Sequence, residues 1–261
     1  ETEKAIADVF AEVLGLDRVG VDDDFFAMGG DSIVSIQVVS ACRARGVWFS
    51  SRDVFECRTA ARLAEVAETA PSGQALKELP GAGVGEVPLT PIVWDLVSRG
   101  GGFDRFVQSV MVQLPVGVDR AGIVETVAAV MARHDMLRAR LWRDPSQGWR
   151  MQTCEMGSVD VDALLCRVPF AADALAQDFA SLASEAPDAA VDRLDPSAGS
   201  VLRMVWLDPA GVQGISGRSG RLIIVAHHLV VDAVSWRIIV FDVMRAWEQI
   251  AAGRRAVLPA A

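Results

Sequence analysis

The 261 residues contain no tyrosine, only three histidines and only four cysteines, and these scarcities narrow what the chain can do. Cys42, Cys57, Cys154 and Cys166 show neither a CxxC pair nor Cys/His ligand spacing, and three histidines leave little for a metal site. The thiols are expected to be reduced and mostly buried. Positive charge is also short, with 25 Lys and Arg against 34 Asp and Glu and a net charge of -9. No window joins clustered Lys and Arg with aromatic platforms, so nucleic acid is excluded as a partner. No apolar run reaches the roughly 18 residues of a membrane span, and the opening helix is acidic rather than a basic, apolar leader. No membrane partner is expected, and the simplest compartment is the cytosol. The absence of tyrosine has no functional account.

Apolar residues, by contrast, make up 51% of the chain, ample for packed cores, and the length suggests two domains. Ile6, Val9, Phe10, Val13 and Leu14 fall at i, i+3, i+4, i+7 and i+8, one apolar stripe of a helix that Gly15 ends. A second helix is expected from Ile33 to about Arg45, and Ser50 with Asp53, then Thr59, read as N-caps of two more. Residues 1–70 thus form four helices. Within them, Phe25-Phe26-Ala27-Met28-Gly29-Gly30-Asp31-Ser32-Ile33 places a glycine-pair turn before an acidic residue and a serine. Glycines permit backbone angles that a β-carbon forbids, Asp31 suits an N-cap, and Ser32 falls in the exposed first turn. Such a pair could be a plain helix cap, or the hydroxyl could be a point of attachment.

Residues 71–87 break all periodicity and concentrate Gly and Pro, as a linker does; they could span at most roughly 60 Å. From residue 88 the pattern changes and no repeat is visible. Thr90 and Pro91 start a helix, Val110, Val112 and Leu114 alternate as in a strand, and Asp119 opens a helix with Ile123, Val127, Val130, Met131 and His134 along one side. A strand carrying Leu137, Ala139 and Leu141 follows. Further strands are expected near 148–153, 200–207 and 221–227, with a helix around 176–186. The mixture is α/β. Its chemistry lies in Leu222-Ile223-Ile224-Val225-Ala226-His227-His228-Leu229-Val230-Val231-Asp232-Ala233, a buried apolar strand that delivers two histidines to a turn before a long helix. Successive strand residues face opposite sides, so at most one histidine faces a given cavity. A neutral imidazole with a pKa near ~6.5 can exchange protons at working pH.

Both motifs resemble parts of nonribosomal peptide synthetases. The stretch around Ser32 is similar to the attachment site of peptidyl carrier domains, which implies a four-helix bundle with 4′-phosphopantetheine covalently on Ser32. The histidine run is similar to the HHxxxDG signature of condensation and epimerization domains, which implies an α/β lobe of the chloramphenicol-acetyltransferase type over 88–261. By that resemblance His228 is the active-site histidine and His227 is structural. Asp232 would orient the loop by pairing with a buried arginine, Arg138 in Arg133-His134-Asp135-Met136-Leu137-Arg138 or alternatively Arg133. Ala233 departs from the signature's glycine. The sequences GGDSI, Pro88-Leu89-Thr90-Pro91-Ile92 and Val231-Asp232-Ala233-Val234-Ser235-Trp236 look like epimerization, the L-to-D inversion of an α-carbon held as a thioester. The alternatives are peptide-bond formation by a condensation domain, a carrier and docking module without catalysis, and a coenzyme A-dependent acyltransferase. Residues 88–261 suffice for one lobe, so the resemblance places the C-terminal lobe, with a second proton-handling glutamate, outside this sequence. The implied partners are a phosphopantetheinyl transferase with coenzyme A, an upstream adenylation domain, that C-terminal lobe and a downstream condensation domain.

Overall fold

The computed structural model describes residues 1–68, 81, 83–100, 102–170, 176–209 and 219–258. They divide into two compact units, residues 1–77 and 78–261. Most of the expected linker lies outside the described residues, but Gly85–Val87, assigned to it from sequence, form a strand.

The first unit has four helices, α1 (Thr2–Leu14), α2 (Val34–Ala44), α3 (Ser51–Cys57) and α4 (Ala60–Val66). The stripe of α1 is buried at Ile6, Val9 and Phe10, which pack on Val38, Val39 and Cys42 of α2 and on Val54 and Leu63. Burial pushes the Cys42 thiol up to about 12, so it stays an apolar filler. Gly15 takes a left-handed φ of 68° that closes α1. Ser50 and Asp53 form a reciprocal capping box on α3, and the Thr59 hydroxyl caps α4.

The second unit opens with β1 (Gly85–Val87), α5 (Pro91–Ser98), β2 (Val107–Gln113) and α6 (Arg120–Arg133), followed by a 3-10 turn over Asp135–Arg138. Then come β3 (Ala139–Asp144), β4 (Gly148–Thr153), α7 (Val161–Leu164), β5 (Leu165–Pro169), α8 (Ala176–Val191), β6 (Leu202–Asp208), β7 (Arg221–His227) and α9 (Ala233–Ala251). Leu137, expected in a strand, lies in the 3-10 turn. A small antiparallel sheet runs β1-β4-β3. The larger sheet, β2-β7-β6-β5, is mixed: β7 is antiparallel to β2 and β6, and β5 is parallel to β6.

The alternation of β6 and β7 supplies apolar side chains to both faces of that sheet. On one face Met204, Trp206, Leu222, Ile224 and Ala226 pack under Ile123, Val127, Val130 and Met131 of α6 and Ile239, Val243 and Ala246 of α9. Val205, Leu207, Ile223 and Val225 fill the other, against Ala190 and Val191 of α8. Each fully buried branched side chain contributes about 2 kcal/mol, so β7 is held from both sides and its C-terminal end is a rigid place from which to project His227 and His228. Of the four thiols only Cys42 is buried; Cys57 and Cys154 are half-buried and Cys166 is exposed, which corrects the expectation that most would be inside. Cys166 is exposed on β5, which lies at the edge of the larger sheet.

Candidate functional site

The loop before α2 is built to hold one hydroxyl outward. The Asp24 carboxylate accepts from the Phe26 and Ala27 amides at 2.9 and 3.1 Å and from Arg58 Nε at 2.7 Å. Its hydrogen bond with Arg58, ahead of those from the backbone, holds the carboxyl below the usual carboxylate range. Arg58 has a φ of 64°, unusual for a side chain with a β-carbon, and its guanidinium also lies 5.2 Å over the Phe26 ring while its carbonyl accepts from the Phe25 amide. Phe25 is fully buried, 4.8 Å from Phe10 ring to ring. Gly29 takes a φ of 100°, and a β-carbon on Gly30 would lie 2.4 Å from the Phe25 ring. Both glycines are therefore required, one by conformation and one by space.

Asp31 then accepts from the Ile33 and Val34 amides at 2.8 Å, and its carbonyl from the Ser35 amide at 3.0 Å. It caps as expected, although regular helix begins only at Val34, so Ser32 sits in the turn ahead of α2. Ser32 is exposed. The other serine of the motif is not a competitor: Ser35 is 0% exposed and its hydroxyl donates to the Ser32 carbonyl at 2.7 Å.

At the end of β7 the two histidines part. His227 is 0% exposed; its Nε2 faces the Phe103 carbonyl at 3.0 Å and its Nδ1 accepts from the Leu229 amide at 3.2 Å. A carbonyl only accepts and an amide N–H only donates, which assigns the proton to Nε2. Desolvation, its largest influence, holds the imidazole below its ordinary range, so it is neutral. His228 is half-buried and shows the opposite arrangement: Nδ1 lies 2.8 Å from the Val231 carbonyl and Nε2 lies 3.0 Å from Gln108 Nε2, two partners that together fit a proton on Nδ1 and an accepting Nε2. Gln108 Oε1 accepts from Trp236 Nε1 at 2.9 Å. Phe106 stacks on the His228 ring, 4.6 Å between centroids and 17° from parallel, and its carbonyl accepts the His228 amide at 2.8 Å. Nδ1 is thus turned to the backbone and Nε2 away from it.

The expected pair of Asp232 with Arg138 does not form. Asp232 is exposed and N-caps α9, accepting from the amide and the hydroxyl of Ser235 at 2.7 Å each; the hydroxyl contributes most to holding its carboxyl below the usual range. Arg138 is 3% exposed but belongs to another cluster: it donates to the carbonyls of Met131 and Cys154 and pairs with Asp135. The reason is positional. The 3-10 turn aims the guanidinium back at the C-terminal carbonyls of α6, whereas the helix N-terminus already satisfies Asp232. Ala233 is the first residue of α9 and is exposed; Arg58 is the one described non-glycine residue at positive φ, so alanine carries no backbone strain here.

Sequence reasoning missed Gln108 and Phe106, and it named Trp236 only as part of a run, without its contact with Gln108. A signal was present in one case: Gln108 shares the parity of Val110 and Val112, a polar residue on the half-buried face of β2. Among the described residues no cluster of three or more His, Cys, Asp or Glu side chains could hold a metal, and no helix is long and apolar enough to cross a membrane.

Known proteins give these two sites a context. Residues 4–67 match the phosphopantetheine attachment site family and residues 85–261 the condensation domain family. One protein of the linear gramicidin synthase of Brevibacillus parabrevis is 36% identical over 271 residues, covering 100% of this chain and 5% of that protein. Chondramide synthase of Chondromyces crocatus is 33% identical over 259 residues, covering 98% of this chain and 6% of its own length. The chain thus spans about a twentieth of these relatives. Among solved structures, the epimerization domain from the third module of tyrocidine synthetase B superposes with a TM-score of 0.58 at 21% identity, over 72% of this chain and 39% of that one, a likeness of fold.

Proposed function

Because the chain belongs to the condensation-domain family of nonribosomal peptide synthetases, behind a domain that carries covalent 4′-phosphopantetheine, we propose that Ser32 bears this arm and that the second unit inverts the α-carbon of the aminoacyl or peptidyl group it holds. Ser32 suits the attachment: it is exposed on a turn pinned by Asp24, Arg58 and Asp31, and Ser35 is sealed inside. Once attached, the arm supplies a thiol that holds the acyl group as a thioester, which acidifies its α-proton. His228 Nε2 accepts that proton while Nδ1 keeps its own against the Val231 carbonyl. His227, buried and neutral, holds the strand end.

Inversion needs two proton-handling groups, one on each face of the carbon. His228 serves one. The solved epimerization domain extends well beyond the 39% matched by this chain, and we assign the second group to that remainder, the C-terminal lobe. On this reading a phosphopantetheinyl transferase installs the arm from coenzyme A, an adenylation domain upstream chooses the amino acid, and a condensation domain downstream takes the product. The carrying observation is the setting of His228, whose Nδ1 faces the Val231 carbonyl and whose Nε2 faces the Gln108 amide, in a chain that also attaches a thioester arm. The family matched by 85–261, described as a condensation domain, favours a second reading, in which the same nitrogen assists peptide-bond formation.

Deuterated buffer separates the two. With Ser32 loaded with an L-aminoacyl group in the parent synthetase, α-deuterium and D-product are expected together, and His228→Ala should suppress both by ~10²- to 10⁴-fold. Peptide-bond formation with a second loaded carrier and no deuterium uptake would replace inversion with condensation. The 261 residues by themselves, with one of the two proton-handling groups, should match His228→Ala in both α-deuterium and D-product.

A further inference from the structure

The histidine itself does not decide which of its nitrogens is basic; its neighbours do. Around His228 the donors and acceptors form a chain with one consistent solution. Trp236 Nε1–H can only donate, so the Gln108 atom 2.9 Å away is the carbonyl oxygen Oε1. The other end of that planar amide, an NH2 that can only donate, then faces His228 Nε2 at 3.0 Å. Nε2 is left one role, that of acceptor, and the proton is driven to Nδ1, where the Val231 carbonyl receives it at 2.8 Å. We propose that Gln108, oriented by Trp236, is the positioning residue that keeps His228 in the Nδ1–H tautomer with Nε2 unprotonated.

Three elements join in this relay. Gln108 stands on β2, opposite Ala226 in the β2/β7 register, one residue before the histidine pair; Trp236 lies in the first turn of α9, whose start is fixed by the Asp232 cap. Phe106, two residues before Gln108, stacks on the ring and prevents it from turning out of reach. His227 next door provides a contrast within the same fold. Its Nε2 carries the proton because the Phe103 carbonyl lies there, so adjacent histidines are held in opposite tautomers by different partners.

The consequence for chemistry rests on the inversion or condensation reading, in either of which Nε2 is the working atom. An incoming substrate proton displaces the Gln108 NH2 and takes the Nε2 lone pair; the electron pair of the broken bond stays with the substrate, and Nδ1 retains its proton. In that state Nε2–H would face the amide N–H, two donors together, so the glutamine favours return of the proton. Gln108 contacts the nitrogen of His228 and takes no proton itself. Its effect is exerted through His228.

Nitrogen-15 spectra of the 261-residue chain, labelled at histidine, test the assignment without reference to any reaction, and three histidines make the spectrum simple to assign. In the wild type His228 should show a pyridine-type Nε2 and a pyrrole-type Nδ1, and His227 the reverse. Gln108→Leu should leave His228 averaging between tautomers while His227 stays unchanged. Gln108→Glu, nearly the same shape, offers an acceptor to both Trp236 and His228 and should move a proton onto Nε2. In the parent synthetase, Gln108→Leu should then lower kcat by about tenfold or more with KM little changed. A wild-type His228 pattern in either variant would overturn the proposal, because Val231 alone would then be setting the tautomer. Altered tautomers with no deuterium exchange or peptide-bond formation in the wild-type synthetase would leave Gln108 in its role and remove the catalytic reading instead.

Discussion

A side chain that is to receive a bulky group should owe the fold nothing, and Ser32 meets that condition. Ser32→Ala is expected to abolish the mass gain on treatment with coenzyme A and a phosphopantetheinyl transferase, with the melting temperature unchanged; a gain retained by the variant would move the attachment elsewhere. Asp232 and Arg138 behave differently, and differently from each other. Asp232 is an exposed cap, so Asp232→Ala should cost about 1 kcal/mol. Arg138 is buried, and its removal strands the Met131 and Cys154 carbonyls; Asp135, whose side chain keeps 39% of its exposure, stays solvated. Arg138→Ala should therefore cost about 3 kcal/mol. Urea denaturation of both variants gives the comparison, and equal midpoints would contradict it.

The element that matters most to the first site is the loop from Asp24 to Asp31, which precedes α2 and is not itself regular structure. It is held by packing as well as by hydrogen bonds. Gly30→Ala would push a methyl into the ring of Phe25, and that ring, fully buried against Phe10, has nowhere to move. Overpacking of this kind costs about 1 to 3 kcal/mol. The variant should show a lower midpoint for the first unit and slower loading of Ser32, although residue 30 touches neither coenzyme A nor the hydroxyl. Wild-type loading and stability together would show that the turn can relax without displacing the ring.

Across the whole molecule the histidines are distributed unevenly: all three, His134, His227 and His228, lie in the second unit. Burial lowers the His227 pKa in the folded state. Below about pH 6.5 the unfolded chain therefore binds a proton that the folded chain refuses. This part of the stability is fully present above the unfolded value and is lost as pH falls from about 6.5 toward the folded value, by at most about 1.4 kcal/mol per pH unit. Calorimetry between pH 8 and pH 5.5 should show the transition of the second unit falling while that of the first stays level. His227→Gln should flatten the slope; a slope that persists would place its origin in another group.

Periodicity and end signals in the sequence sufficed for the helices of the first unit, for β4, β7 and the long helix after the histidines, because local propensity, caps and core pattern agree there. They also sufficed for Ser32, whose exposure follows from a glycine turn and an acidic cap. The tertiary structure alone decided the partner of Arg138, since a buried guanidinium binds whichever carbonyls the chain's path brings near, and those came from α6 and the strand end after β4. It alone showed β1 inside the expected linker, since three residues without a pattern become a strand only when β4 offers an edge. The tautomer of His228 was likewise out of reach of the sequence: it depends on Gln108, Val231 and Trp236, which are far apart or unpatterned in the chain and meet only when β2 pairs with β7 and α9 packs across the sheet.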